Sequence, residues 1–138
     1  MNTERILNEY VLCTERLKVS KDHLEILEKT PEFIKVTKYG EETKGHVNVE
    51  DVHIKIIDLR KNVETKIALD TTFIAMVNRS LEALKEKFGE ERYKVFEDKH
   101  FKNKTLETIA LDCGHMSTTP TRKAIGEMEK FFEHMYNT

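Results

Sequence analysis

Apolar residues recur at steps of three and four along most of this chain, and charged residues fill the positions between them. From residue 3 to 29 the stripe is Ile6, Leu7, Tyr10, Cys13, Leu17, Leu24 and Leu27, the spacing of one helix face. Thr30-Pro31 is expected to end that helix, because proline pushes the residue before it out of the α region. The periodicity then fades. Residues 31–48 hold two glycines, several lysines and a short β-like run at Phe33, Ile34, Val36 and Tyr39. They read as a flexible arm, with a small hairpin or a plain linker as the alternatives.

Helical spacing resumes with Val49, Val52, Ile56, Leu59 and Val63, and continues through Ile67, Ile74, Val77, Leu81, Leu84 and Phe88. The register shifts between Leu59 and Ile67, which fits one long helix or a break. The break is expected at Asp70-Thr71-Thr72, since aspartate and threonine are good N-cap residues and Phe73 starts a new apolar group. Beyond it, helices are predicted near 73–88, 90–100, 105–113 and 119–136. The expected fold is therefore all-α, with a helical N-terminal region over 1–69 and a C-terminal unit over 70–138. The N-terminal stripes exceed what two helices can hide from water, so residues 1–69 are expected to self-associate.

The stretch from Thr105 to Phe132 is the most informative one. Leu106, Ile109, Ala110 and Cys113 are placed for the buried side of one helix, and Gly114 supplies the positive φ that commonly ends such a helix. Ser117 or Thr119 can N-cap the next helix, and Pro120 suits its first turn, where a missing amide costs nothing. Thr121, Ala124, Ile125, Met128, Phe132 and Met135 then form one stripe, from which Arg122, Lys123, Gly126 and Lys130 point away. Two helices locked across a tight turn, the second opening with polar and cationic residues, make a helix-turn-helix pattern, and duplex DNA its first candidate partner. The plainer alternative is an αα-hairpin that only packs.

Charge refines this picture. The chain has 138 residues, 35% of them charged, and a net charge of −2, so no global field draws it to nucleic acid. Any affinity must come from a local patch. The best one lies between Lys99 and Lys123, where Lys99, Lys102, Lys104, Arg122 and Lys123 outnumber Glu107 and Asp112. Lys102 and Lys104 precede the motif and suit phosphate, whereas Ser117, Thr118, Thr119, Thr121, Arg122 and Lys123 lie where a recognition helix enters the groove. So few cations give weak binding to a monomer, which a dimer or a second bound protein would strengthen.

Other chemistry finds little support. Cys13 and Cys113 sit in helical stripes and read as small buried hydrophobes in a reduced chain. The six histidines, His23, His46, His53, His100, His115 and His134, show no ligand spacing and read as solvated or capping residues, so no metal or other cofactor is expected. There is no P-loop, GxGxxG or GxSxG, and an enzyme is not expected. MNTERILNEY lacks the apolar core of a signal peptide, and no window reaches the length of a membrane span. A soluble, cytoplasmic protein is the expectation.

The order Leu84 to Phe88, Glu90-Glu91-Arg92, Val95-Phe96, Phe101, Leu106-Glu107-Thr108-Ile109-Ala110 and then Ser117 with its helix resembles region four of bacterial sigma factors. In a small helical chain it resembles the phage late-gene transcription activators of the RinA and ArpU type. The resemblance covers roughly the last 60 residues. It implies sequence-specific binding to promoter DNA, activation of late genes and contact with RNA polymerase. Two alternatives come from other classes: a small terminase subunit, which joins a helix-turn-helix to oligomerising helices, and a helical protein-interaction adaptor.

Overall fold

A computed structural model describes residues 2–29 and 49–138, with side chains from residue 54 onward in the second stretch. The arm expected near 31–48 and the helix end expected at Thr30-Pro31 lie outside the described residues. Within them the fold is all-α, without a strand. The helices are α1 (Thr3–Lys29), α2 (Val49–Phe88), α3 (Glu90–His100), α4 (Leu106–Asp112) and α5 (Thr119–Tyr136).

The break expected at Asp70-Thr71-Thr72 is absent, and α2 runs unbroken through it. Neither residue type acts as a cap there. The Thr72 hydroxyl donates back to the Ala68 carbonyl at 2.9 Å, which satisfies it inside the helix. Asp70 is buried and accepts from Arg16 through both carboxylate oxygens, at 2.7 and 2.9 Å. What looked like a register shift is a seven-residue repeat in which Ile56, Val63, Asp70, Val77 and Leu84 are all buried. On α1 the same interval buries Ile6, Cys13, Ser20 and Leu27.

The chain divides into two compact units, Met1–Leu12 with Phe73–Thr138, and Cys13–Thr72. The first unit is built round one cluster of buried side chains. Ile6 and Leu7 of α1 meet Val77, Leu81 and Leu84 of α2, and the cluster closes over Phe96, Ile109, Ile125, Met128 and Phe132 from the remaining helices. Each such side chain contributes about 1.5–3 kcal/mol on burial. The start of α1, assigned from the sequence to the N-terminal region, thus belongs to the same core as α4 and α5. Polar bonds secure it. The Thr3 amide donates to Glu133 Oε1 at 2.7 Å, and its hydroxyl donates to the same oxygen at 3.0 Å. Further along, Tyr10 donates its phenol to Asn78 Oδ1 at 2.7 Å.

Among its described residues, the second unit pairs the later part of α1 with the earlier part of α2. Arg16 bonds to Asp70, and Arg60 reaches the Leu27 carbonyl at 3.4 Å, so residues that rise along α1 meet residues that fall along α2. The two helices are antiparallel. The Arg16 guanidinium, hydrogen-bonded to Asp70, holds that carboxyl below its usual range and outweighs the opposing effect of burial.

Candidate nucleic-acid interface

The candidate surface is built by the loop after α3, by α4, and by the turn into α5. At the end of α3 the Lys102 amide donates to the Glu97 carbonyl at 3.1 Å and the Lys104 amide donates to the Asp98 carbonyl at 2.9 Å. Asn103, between them, takes a φ of 53°, a left-handed conformation that asparagine tolerates better than most residues. The loop therefore folds back over α3. Thr105 then caps α4, its hydroxyl accepting from the Thr108 amide at 3.3 Å.

Gly114 ends α4 as its sequence suggests. It has a φ of 73°, its amide donates to the Leu111 carbonyl at 3.1 Å, and the His115 amide donates to the Ala110 carbonyl at 2.9 Å. These two bonds make a Schellman cap, which satisfies carbonyls the helix leaves open. Cys113, expected on the buried face, is exposed. Cys113 is the C-cap of α4, still in helical conformation with its amide donating to the Ile109 carbonyl, and the chain turns at Gly114 directly after it. Ile109 and Ala110 are buried as the spacing requires.

The start of α5 differs from expectation in one respect. Its N-cap is Thr118, in helical conformation and without a side-chain capping bond, in place of Ser117 or Thr119. The brace comes from elsewhere. His115 Nδ1 lies 2.6 Å from Thr121 Oγ1, so the turn is joined to the first turn of the helix. Thr121 is 1% exposed and belongs to the core with Ile125, Met128 and Phe132, which withdraws it from any surface contact. Ser117, Thr119, Arg122 and Lys123 are exposed, and Thr118 is half-buried. Among the described residues no ion pair involves Arg122 or Lys123.

The remaining cations are committed to carboxylates. Lys102 Nζ lies 3.6 Å from Asp98 Oδ1, and Lys104 Nζ lies 3.7 Å from Asp98 Oδ2 and 3.5 Å from Asp112 Oδ2. Asp98 is buried, and its Oδ1 has no hydrogen-bond partner, so two ammonium groups at ion-pair distance are its compensation. Lys99 is drawn the other way. It donates to Glu129 Oε1 at 2.9 Å, an oxygen that His100 Nε2 also approaches at 3.2 Å. His100 and Lys99 together hold the Glu129 carboxyl below its usual range, in that order of importance. The patch expected from Lys99 to Lys123 is thus reduced to Arg122 and Lys123, with Lys102 and Lys104 partly neutralised beside them.

Sequence spacing did not reveal Asp98, His100 or His115 as partners, because none repeats at a motif interval. A cleft of about 900 Å³ opens between α3 and the start of α5, with Asp98, Lys104, His115 and Thr121 in its lining. Among the described residues no group of His, Cys, Asp and Glu is placed to hold a metal ion, and the two cysteines form no disulfide. No described helix is long and apolar enough to cross a membrane. Neither a protein-family model, nor a curated protein, nor a solved structure matches this chain.

Proposed function

We propose that α4, the turn and α5 form a helix-turn-helix, and that the protein is a sequence-specific regulator of transcription that reads double-stranded DNA. The observation that carries this reading is the division of labour at the start of α5. Thr121 and Ile125 are committed to the core, which fixes the helix, while Arg122 and Lys123 stand exposed and without an acidic partner. A guanidinium held in that way can bond two acceptors on one guanine. The braced turn supports it, since a reading side chain must be held by a rigid element. By its resemblance to sigma region four and to the RinA and ArpU activators, the protein would act on phage late genes and touch RNA polymerase.

Genome fragments recovered by the full-length protein and sequenced test this reading. A shared motif, lost with Arg122→Ala, is the expected result, and recovery without sequence preference would reject it. One observation favours a second reading. Leu111 and Met116, on the α4 end and the turn, are 77% and 104% exposed, and apolar side chains so placed fit a protein partner as an adaptor would.

A further inference from the structure

We propose that a cleft between α1, α2 and α3 binds the guanidinium group of an arginine side chain on a partner polypeptide. No part of the cleft comes from α4, the turn or α5, so it stands apart from the surface proposed for DNA. It holds about 560 Å³ and is lined by two rows of side chains. Asn78, Glu82 and Lys85 follow at steps of four and three along α2, while Tyr93, Glu97 and Phe101 follow at steps of four along α3 and its C-cap. Such spacing keeps each row on one helix face. Tyr10 of α1 joins the two rows. Its ring lies edge-on to Phe101 with centroids 6.3 Å apart, and its phenol donates to Asn78 Oδ1 at 2.7 Å.

The cleft combines aromatic walls with acids that have no counter-ion. Among the described residues no ion pair involves Glu82 or Glu97. Glu97 is half-buried, where an unanswered carboxylate is costlier than in open water. Burial raises the pKa of the Tyr93 phenol, and the Glu97 carboxylate raises it further, the sign of a negative potential inside the cleft. Lys85 is the cation of the lining, and Glu90, which is not part of that lining, answers it at 3.7 Å. Its ammonium also lies 5.9 Å from the centre of the Tyr93 ring, so this wall already receives a cation at the outer limit of such a contact.

Charge complementarity selects a cation, and donor geometry selects among cations. A guanidinium is planar, weakly hydrated and donor-only, so it can lie against an aromatic wall while its fork of N–H groups bonds to Glu82 and Glu97. An ammonium is a compact, strongly hydrated point charge and gives up more water on entering. The depth of the cleft selects the source. Leu81 is buried at its floor, whereas the other lining residues are half-buried or exposed. Sites for free small molecules usually enclose most of the ligand, which so shallow a cleft does not. A side chain presented by a polypeptide needs to insert only its tip and stem.

The test is a titration of the full chain, followed by amide NMR shifts at constant ionic strength, with capped glycyl-arginyl-glycine and its lysine and citrulline counterparts as probes. Citrulline keeps the shape of arginine without the charge. The arginine probe should give saturable shifts at Tyr10, Tyr93 and Phe101, with the lysine probe weaker and the citrulline probe silent. Glu82→Gln and Glu97→Gln should each weaken binding about three- to fivefold. Lys85→Gln should tighten it by removing a competing cation, an outcome that misfolding cannot imitate. Free butylguanidinium should bind less well than the arginine tripeptide. A lysine or citrulline probe that binds as well as arginine, a Lys85→Gln variant without tighter binding, acid variants that bind as the wild type does, or butylguanidinium that matches the tripeptide would each overturn the proposal.

Discussion

His115 Nδ1 and Thr121 Oγ1 lie 2.6 Å apart, and this bond joins the turn to the first turn of α5 across six residues of sequence. Thr121 occupies a position of the apolar stripe, and its hydroxyl has a use there that valine could not serve. Thr121→Val keeps the shape but leaves the histidine nitrogen unmatched, so it should lower stability by about 1 kcal/mol. Urea unfolding of the two proteins measures this. An unchanged midpoint would mean that the bond contributes nothing and that only the packing holds the turn.

Arg122 and Lys104 should behave differently on DNA. Arg122→Ala should cost about 1–3 kcal/mol on a specific site and relax one base position. Lys104→Ala should weaken all duplexes alike, but should reduce the salt slope by less than about one, because its ammonium already lies between Asp98 and Asp112. Asp112→Asn, by the same reasoning, should tighten binding to every sequence. Isotherms on cognate and scrambled duplexes at several salt concentrations separate these outcomes. If Arg122→Ala changes neither affinity nor preference, the adaptor becomes the better reading.

Ile6 and Leu7 are far in sequence from the motif yet fully enclosed by its core. Ile6→Ala or Leu7→Ala should each destabilise the first unit by about 2–5 kcal/mol, the usual cost of an aliphatic cavity. The readout is hydrogen exchange at the amides of Ile109 and Ile125, which should quicken in both variants. Protection that stayed at the wild-type level would show that α1 merely rests on this unit.

The pH dependence of the α1–α2 pairing follows from Asp70. Its folded value is depressed by Arg16, so the stability it supplies is present above the unfolded value of about 3.9 and is lost as pH falls toward the depressed one. Asp70→Asn should therefore be less stable than wild type at neutral pH, and the difference should narrow below about pH 4. Unfolding curves at both ends of that range check the sign. A gap that is constant with pH would assign the effect to packing.

The helical character of the chain was legible because stripes at three- and four-residue steps survive any tertiary context, and Gly114 marked the end of α4 through a backbone requirement. The unbroken course of α2 was not legible. Asp70 and Thr72 look like caps in a linear reading, and only the positions of Arg16 and of the Ala68 carbonyl show where their polar groups go. The same holds for the interface. Exposure of Arg122 and Lys123 could be read from the stripe beside them, whereas the pairing of Lys102 and Lys104 with Asp98 depends on a loop that doubles back. A stripe also reveals that a helix face is apolar without naming what it meets, so the joining of Ile6 and Leu7 to the core of the C-terminal helices is not legible in the sequence.

A seven-residue repeat on each of two helices has a weakness: the pair can close in several alignments, each one heptad apart, with apolar residues still facing inward. Asp70 removes that freedom. Slipped by a heptad, its carboxylate would lose the two hydrogen bonds from Arg16. One buried acid and one arginine thus act as an address for α1 on α2, as a single polar residue in a coiled coil can select one register among many.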